Sequence, residues 1–323
     1  MSFESLEKKI YFAPMEGITG AIYRRTHSQF FEGVDEYYTP FLAVNHTHKF
    51  KRREKREFVP NENPVPPIPQ ILTNDAEDFI WAAKELSKYG YNEINLNMGC
   101  PAATVFNKHK GAGMLADLPR LKTFFDVVFA EKSPEMEISI KTRVGISSED
   151  GLEEFIDLWN SYPFKMTIVH PRVRDDYYKG KLRLDAFKKC VALCRVPLVF
   201  NGNICNREDY KEVVEKFPQI SAVMIGRGLL KNPALAREIK GGEKLNRLEL
   251  KAFYEKLLQE YRDAFTNERE VLFCMKELWS YSSTLFGEGR KLLQKIQRSK
   301  SLEEYMGYVD SAFIGGFGQS FVK

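Results

Sequence analysis

The sequence predicts an α/β fold: a (β/α)8 TIM barrel followed by a smaller all-helical C-terminal domain. Eight short β-rich runs recur along residues 10–230, and amphipathic helical patterns separate most of them. This alternation is typical of parallel strands joined by helices. After residue 241 the chain shows helical periodicity without further strand runs. We therefore expect a barrel domain over 1–240 and a helical domain over 241–323, with Gly241–Gly242 as the linker.

The strand and helix patterns differ in clarity along the chain. Segment 75–90 opens on Asp75, a candidate N-cap, and closes on Gly90, and segments 147–160 and 206–217 also start on polar residues. The second unit is the least regular, because HKFKRREKREF (48–58) is highly charged and has little apolar surface. The predicted strands are IYFAPM (10–15), VDEYYTPF (34–41), PVPPIPQIL (64–72), EINLNMGC (93–100), EISIKTRVG (137–145), KMTIVHPR (165–172), VPLVFNGNI (196–204) and AVMIGRGLL (222–230).

The length, charge and cysteine content of the chain indicate which kinds of protein it can be. With 323 residues, 43% of them hydrophobic, the chain can bury a substantial core. Its net charge of +4 permits a polyanionic partner without requiring one. Five cysteines without a CxxC pair argue against a metal site or a disulfide framework and favour a reducing cytoplasm. We expect no membrane association, since no run of about 18 apolar residues occurs, and no secretory signal, since MSFESLEKKIYFAP lacks a positive region followed by an apolar one. Nothing in the sequence suggests an obligate dimer, so we expect a monomer.

In (β/α)8 barrels the catalytic groups lie at the carboxyl ends of the strands and in the loops that follow. This rule converts the strand assignments into candidate site residues. The predicted strand ends carry Pro14, Met15 and Glu16; Pro40; Gln70; Asn97 with Cys100; Lys141 with Arg143; His170 with Arg172; Asn201, Gly202 and Asn203; and Gly226 with Arg227.

The last two strand ends indicate a phosphate site. FNGNI (200–204) and IGRGLL (225–230) both place glycine where backbone N–H groups can approach an anion, and barrels often bind phosphate there. Either glycine alone means little, because turns use glycine routinely. Arg227 is able to add a charge-assisted contact to the same group.

Lys141 and His170 each allow two interpretations. A lysine on the inner face of a barrel needs compensation, either from a bound anion or electron-rich ring or from a carboxylate on a neighbouring strand. A single histidine is commonly a hydrogen-bonded core residue. Beside Arg172 and Arg174, however, His170 fits an anion-facing loop, and the pair Tyr177 and Tyr178 offers rings on which bases can stack.

Cys100 is the candidate catalytic residue. An unperturbed thiol, with a pKa of about 8.5, remains mostly protonated near neutral pH, as a general acid requires. Gly99 and Pro101 define a tight loop around it, and we expect the glycine cluster KGAGML (110–115) to close over the site or shape its rim. The other four cysteines are expected to be inert.

As a set, these segments resemble the bacterial tRNA-dihydrouridine synthases. The resemblance covers about residues 10–240 in the order of that family, and the helical tail is similar to its RNA-binding domain. The combination is specific, whereas any one motif alone is not. The matching segments are APMEGIT (13–19), QIL (70–72), NLNMGCP (95–101), KGAGML (110–115), SIKTRVG (139–145), VHPRVRDDYYKG (169–180), FNGNI (200–204) and IGRGLLKNP (225–233).

The resemblance implies FMN in the mouth of the barrel and reduction of the C5=C6 bond of uridine in tRNA, with NADPH or NADH as reductant. Hydride would come from reduced FMN, and the proton from Cys100. The implied FMN-binding residues are Pro14, Met15 and Glu16 beside the ring, Gln70 at its polar edge, Lys141 near N1 and O2, His170 near both flavin and RNA, and Asn201, Gly202, Asn203, Gly226 and Arg227 at the phosphate. The implied substrate-binding residues are Asn97, which would orient the uracil, and Arg143, Arg172, Arg174 and Tyr178, which would hold the RNA.

Two positions depart from the family pattern, and two other functions remain open. Pro171 stands where the family more often has glycine, and Asn203 stands where an acidic residue is usual; neither change bears on the hydride chemistry. One alternative is another FMN-dependent barrel oxidoreductase that acts on a free pyrimidine, which would need neither the basic loop near Arg172 nor the helical tail. The other is a non-catalytic tRNA-binding module, which would need neither Cys100 nor Lys141.

Overall fold

Nine short parallel strands form one sheet in which both ends of the strand order come from the same stretch of chain. The order is β2-β1-β9-β8-β7-β6-β5-β4-β3, and every pairing is parallel. The computed structural model describes residues 7–59, 66–315 and 317, so the first two residues of the predicted strand 64–72 lie outside the described residues. The strands are β1 (Lys9–Phe12), β2 (Glu36–Tyr37), β3 (Leu42–Ala43), β4 (Gln70–Leu72), β5 (Glu93–Met98), β6 (Glu137–Gly145), β7 (Thr167–Val173), β8 (Leu198–Asn201) and β9 (Ala222–Ile225).

The second barrel strand is divided into two pieces. β2 pairs with β1, β3 pairs with β4, and Tyr38 between them bridges to Ile68. Pro40 interrupts this segment, and proline cannot donate a hydrogen bond to a strand ladder. The sheet thus closes on itself, which confirms the predicted barrel, although the second strand was predicted as one run over 34–41 and β3 lies just beyond it.

Fourteen α-helices are present among the described residues, and the first eight of them lie between successive barrel strands, as expected for this fold. Short 3-10 turns lie at Gly111–Ala116, Arg174–Asp176 and Ser283–Leu285. The helices are α1 (Ala21–Phe30), α2 (Arg52–Phe58), α3 (Ala76–Ser87), α4 (Ala103–Phe106), α5 (Leu118–Glu131), α6 (Leu152–Asn160), α7 (Leu184–Leu193), α8 (Arg207–Lys216), α9 (Arg227–Lys231), α10 (Leu235–Ile239), α11 (Arg247–Ala264), α12 (Glu268–Ser282), α13 (Gly289–Arg298) and α14 (Leu302–Ile314).

Side-chain caps start two of the three helices for which the sequence predicted a polar beginning. Asp75 accepts a hydrogen bond from the backbone of Asp78 at 3.0 Å, and Asn206 accepts one from Asp209 at 2.7 Å. For α6 the prediction of a polar cap is wrong. That helix follows Gly151, whose φ of 78° places the backbone in the left-handed region, and no side chain caps it.

The core has two parts, as a closed barrel requires. A large cluster of apolar residues lies between the strands and the surrounding helices and continues into α11–α14. A smaller cluster fills the barrel interior, where alternate residues of each strand point inward. Its buried members are Tyr11, Ala13, Tyr38, Met166, Ile168, Val199, Ala222 and Met224.

The C-terminal helices pack directly on the barrel. Phe253 of α11 lies 5.0 Å from Phe31 and 5.8 Å from Tyr23, measured between ring centroids. None of the helices in the described parts of the chain combines the length and apolar character that a membrane-spanning helix needs. The division into domains 1–240 and 241–323 stays a prediction.

Candidate active site

A cavity of about 490 Å³ opens at the carboxyl ends of the barrel strands. Fifteen of the seventeen residues to which the resemblance assigns a role line it, as does the strand-end candidate Pro40; Arg172 and Arg174 do not. These fifteen residues are Pro14, Met15, Glu16, Gln70, Asn97, Cys100, Lys141, Arg143, His170, Tyr178, Asn201, Gly202, Asn203, Gly226 and Arg227.

The loop that carries Cys100 is held from two sides. The side-chain oxygen of Asn97 accepts hydrogen bonds from the backbone N–H of Gly99 at 3.1 Å and of Cys100 at 2.9 Å. From behind, the N–H of Ala112 donates to the carbonyl of Cys100 at 3.1 Å. At Gly111, with φ of 58°, a Cβ atom would lie 2.9 Å from that same carbonyl oxygen, so only glycine allows this approach.

The glycine cluster therefore supports the thiol loop and does not cover it. Residues 111–116 form a 3-10 turn, and none of residues 110–115 is among the described residues that line the cavity. The expectation that KGAGML closes over the site or shapes its rim is corrected in this respect. The close approach of two backbones explains why two glycines occur here in three residues, since a Cβ at Gly113 would lie 2.7 Å from the carbonyl oxygen of Phe106.

Burial keeps the Cys100 thiol protonated at neutral pH. Burial is the largest influence and raises its pKa, while the nearby cations of Arg143 and Lys141 act in the opposite direction. The other four cysteines do not line the cavity. Among the described residues, Cys100 is thus the one thiol that faces this space.

Lys141 points into the same cavity without a carboxylate partner. Its Nζ makes no hydrogen bond or ion pair with any part of the chain that the structure describes, which argues against the interpretation of Lys141 as half of a structural salt bridge. Burial, followed by the charge of Arg143, lowers the pKa of Lys141 to about 8. A half-buried lysine without a carboxylate partner is suited to an anion or an electron-rich group as ligand.

A chain of buried amides joins the thiol loop to the barrel interior. Asn97 Nδ2 donates to Gln70 Oε1 at 2.7 Å, Gln70 Nε2 donates to Asn95 Oδ1 at 2.8 Å, and Asn95 Nδ2 donates to Ser139 Oγ at 2.9 Å. Each bond determines which end of the next amide is the acceptor, so the Asn97 oxygen is directed at the backbone of Cys100. The sequence analysis missed Asn95 and Ser139. The sequence does mark them, because each is a polar residue two positions before Asn97 or Lys141 and so lies on the same face of its strand.

The two glycine-containing strand ends meet at the opposite side of the cavity. A Cβ atom on Gly228 would lie 2.1 Å from the carbonyl oxygen of Ile204, so glycine is required for the loops to touch. Asn203 Oδ1 accepts from Arg227 Nη2 at 2.9 Å, and a Cβ on Gly226 would lie 3.3 Å from that of Ala13. The two loops form a concave part of the cavity wall, with the guanidinium of Arg227 beside Asn203.

His170 is neutral in this environment. The side chain is buried, and burial lowers its pKa well below the ordinary value, reinforced by four neighbouring cations. These are Lys141, Arg143, Arg172 and Arg227. His170 thus offers a hydrogen-bonding ring, not a charge, to the cavity.

The three arginines predicted to hold RNA are engaged with the protein itself. Arg143 is buried and donates to the carbonyls of Gly99 at 2.8 Å, Val173 at 2.8 Å and Tyr177 at 2.7 Å. Its guanidinium also lies 5.5 Å from the ring centroid of Tyr178. Arg143 therefore fixes the position of Tyr178, and its direct contact with RNA stays a prediction.

Arg172 and Arg174 hold the loop that follows β7. Arg172 is buried and donates to the carbonyls of Lys179 and, at 2.9 Å, Gly180. The guanidinium of Arg174 lies 4.2 Å from the ring centroid of Phe106. The predicted RNA contacts of these two residues likewise remain untested.

Tyr281 is a cavity residue that the sequence analysis did not identify. It belongs to α12, well beyond the last barrel strand, and it lines the cavity together with Tyr178 and Arg227. No local pattern marks it, because helical periodicity alone does not reveal which distant element a helix face approaches. Phe41 and Ile18 also line the cavity and were not predicted.

A closed parallel barrel with a polar cavity at the carboxyl ends of its strands, in which a thiol faces an unpaired lysine, defines an enzyme of the TIM-barrel class. Comparison with known families identifies the particular one. The dihydrouridine synthase family profile matches residues 11–313, and the chain belongs to this family of FMN-dependent oxidoreductases.

Individual relatives agree with this assignment. The chain is 29% identical over 237 residues to tRNA-dihydrouridine synthase B of Pasteurella multocida, covering 72% of this chain and 69% of that protein. It is 30% identical over 241 residues to tRNA-dihydrouridine(16) synthase of Neisseria meningitidis serogroup B, covering 72% of this chain and 71% of the relative.

Solved structures with a similar fold have distant sequences. Morphinone reductase superposes with a TM-score of 0.53 at 10% identity, over 74% of this chain and 87% of the other. A variant of NCR from Zymomonas mobilis gives a TM-score of 0.51 at 13% identity, over 79% and 93%. At these identities the similarity supports the barrel fold alone.

Proposed function

We propose that this protein reduces the C5=C6 bond of uridine in tRNA to dihydrouridine, with FMN held in the cavity at the carboxyl ends of the strands. The observation that carries the proposal is that the protonated thiol of Cys100 and the unpaired cation of Lys141 face one cavity of about 490 Å³. Such a volume lies within the range of cofactor and ligand sites, roughly 300–1,000 Å³.

The residues present fit FMN. The concave surface formed by the loops of Gly202 and Gly226, with Arg227 at its edge, is suited to the phosphate. Lys141, whose charge lacks a carboxylate partner, is suited to the polar edge of a ring that accumulates negative charge on reduction. When bound, FMN supplies the hydride that adds to C6 of the uracil. We infer NADPH, or NADH, as the source of reducing equivalents.

Cys100 completes the reduction by donating a proton to C5. Hydride and proton together saturate the double bond, and the thiolate left behind regains a proton from solvent. A thiol with a raised pKa holds its proton until carbanion character develops at C5, which suits it to general acid catalysis. The Asn97 hydrogen bonds fix the loop on which this donor is carried.

The substrate side of the cavity suits a nucleotide that has left its stack. Tyr178 is more than half exposed at the mouth, which makes its ring available to a base. Asn97 is buried and lines the cavity, and we infer that its remaining hydrogen-bonding capacity orients the uracil. His170, Arg143, Arg172 and Arg174 complete the proposed RNA side, and we place the reaction in the cytoplasm with the protein acting as a monomer.

The test is to map dihydrouridine in tRNA from a strain that lacks this gene. We expect one or a few uridines to lose the modification and the wild-type gene to restore it. Cys100→Ala should reduce the rate of restoration by about 100-fold or more, the usual contribution of a general acid. The matched control is Cys194→Ala, a half-buried thiol outside the cavity, which should restore the modification fully. Unchanged tRNA in the deletion strain, or full restoration by Cys100→Ala, would contradict the proposal.

A further inference from the structure

The positive charge of this protein is concentrated in one short segment. Residues 49–58, KFKRREKREF, contain six lysines and arginines and two glutamates, a net charge of +4. The whole chain has 48 basic and 44 acidic residues, also a net charge of +4. The remainder of the sequence is therefore balanced, and this segment, here called the basic ridge (residues 49–58), accounts for the excess.

Two buried aromatic side chains fix the basic ridge to the barrel. Phe50 packs on Phe58 with ring centroids 4.9 Å apart, and Phe50 also lies 4.9 Å from Trp81 of α3. Both phenylalanines are almost completely buried. Because the apolar residues of the segment face inward, its cations face solvent, and all six are exposed.

The two glutamates of the ridge are already engaged. Glu57 pairs with the buried guanidinium of Arg24 at 2.8 Å, and Glu54 accepts from the backbone N–H of Lys51 at 2.6 Å. In the part of the chain that the structure describes, neither glutamate forms an ion pair with a cation of the ridge. Within the described residues, Lys49, Lys51, Arg52 and Lys55 form no ion pair.

The ridge borders a groove of about 430 Å³ on the protein surface. Four cations and two apolar residues line this groove: Lys49, Arg52, Lys55, Arg56, Phe50 and Val59. Unpaired cations around a groove repel each other, so this arrangement favours a polyanion that supplies the missing negative charges.

The ridge also links the cavity to the C-terminal helices. Arg53 forms an ion pair with Glu16, a residue that lines the cavity. The guanidinium of Arg56 lies 5.4 Å from the ring centroid of Phe265, at the end of α11. A polynucleotide with one nucleotide in the cavity would therefore pass along the basic ridge as its chain leaves the cavity.

From this geometry we propose that the basic ridge binds the phosphate backbone of the RNA substrate beside the nucleotide in the cavity. This inference rests on the proposed function. An anionic membrane surface fits less well, because the large apolar side chains of the ridge, Phe50 and Phe58, are buried and unable to insert into lipid. The ridge is expected to supply affinity that depends on salt and is independent of sequence.

The experiment measures the salt dependence of tRNA binding by the full-length protein. In the test variant, four of the ridge cations that form no ion pair within the described residues are neutralised: Lys49→Gln, Lys51→Gln, Arg52→Gln and Lys55→Gln. The control variant loses the same charge from exposed lysines on the outer helices of the barrel: Lys88→Gln, Lys122→Gln, Lys188→Gln and Lys189→Gln. Oxidation of NADPH in the absence of tRNA reports on the integrity of each variant.

Each lost phosphate contact reduces the slope of log affinity against log salt concentration by roughly 0.7–0.9. With four cations removed, we expect the slope of the test variant to be less steep by about 3. The control variant should change it by less than about 1, and NADPH oxidation should be equal in all three proteins. Equal slopes in wild type and test variant, or equal losses in both variants, would overturn the inference. If wild-type protein itself neither binds nor modifies tRNA, the proposed function fails instead, so the two failures are distinguishable.

Discussion

Cys100 and Lys141 face the same cavity, and burial favours the neutral form of both side chains. The thiol therefore retains its proton. The positive charge of the lysine, in contrast, is stabilised by the ligand that it binds. Both residues are predictable from the sequence, because Cys100 directly follows a recognisable strand run and Lys141 lies within another. Asn95 and Ser139, which orient the amides next to Cys100, lie on the strand faces of Asn97 and Lys141, but the sequence does not reveal which side chains they bond to.

The pH dependence of FMN binding tests the assignment of Lys141. In the ligand-free protein the protonated fraction of Lys141 falls as the pH rises through about 8. The polar edge of the flavin ring accepts hydrogen bonds and so selects the protonated form of Lys141. Affinity should therefore be constant below pH 8 and weaken by up to about tenfold per pH unit above it. Titration of the apoprotein with FMN from pH 7 to about 9.5, followed by flavin fluorescence, measures this. Lys141→Met should bind more weakly and without this dependence, whereas a flat profile for the wild type would refute the assignment.

At the scale of elements, the supporting contacts of the thiol loop come from a 3-10 turn that a search for helices and strands overlooks. The backbone at Gly111 approaches Cys100 so closely that a side chain at this position would displace it. The motif was visible in the sequence, but its location behind the loop was not. Similarly, Pro40 is evident in the sequence. The division of one strand into β2 and β3 could not be predicted from it, because this division depends on which strand each piece pairs with.

Two glycine substitutions separate backbone strain from displacement of the thiol. Gly111 and Gly90 both have positive φ, but only a Cβ at Gly111 would meet other atoms, those of Cys100 and Val105. Each alanine variant should lose about 1–2 kcal/mol of stability from strain in the left-handed region. In addition, Gly111→Ala should reduce dihydrouridine formation by about tenfold or more, because a small misplacement of a catalytic group is costly. Denaturant unfolding and a tRNA assay measure the two effects, and equal activity of the two variants would contradict this account of the loop.

At the scale of the whole molecule, the C-terminal helices pack on the barrel and contribute a residue to its cavity. Phe253 of α11 packs among Tyr23, His27 and Phe31 on the barrel side, and Tyr281 of α12 reaches the cavity. Helical periodicity after residue 241 was sufficient to predict these helices. It was insufficient to predict where they dock, because docking depends on contacts between residues more than 200 positions apart in the chain, such as Tyr23 and Phe253.

Phe253 provides a direct measure of this docking. The side chain is 1% exposed, so Phe253→Ala should lower the free energy of unfolding by about 3–5 kcal/mol through the cavity it leaves. Phe273, on the neighbouring helix α12, is 67% exposed, and Phe273→Ala should change the same quantity by less than about 0.5 kcal/mol. Denaturant titration of both variants makes the comparison. A small effect at Phe253 would show that barrel and helices fold independently.

The most direct test of the central claim is the anaerobic reoxidation of the reduced protein by tRNA. The protein is purified with its flavin, reduced with one equivalent of NADPH and mixed with tRNA that lacks dihydrouridine, while the visible absorption of oxidised flavin is followed. We predict that this absorption returns when the tRNA is added and does not return when free uracil or uridine is added instead. A protein that binds no flavin, or whose reduced flavin is reoxidised by free pyrimidine and not by tRNA, would contradict the account.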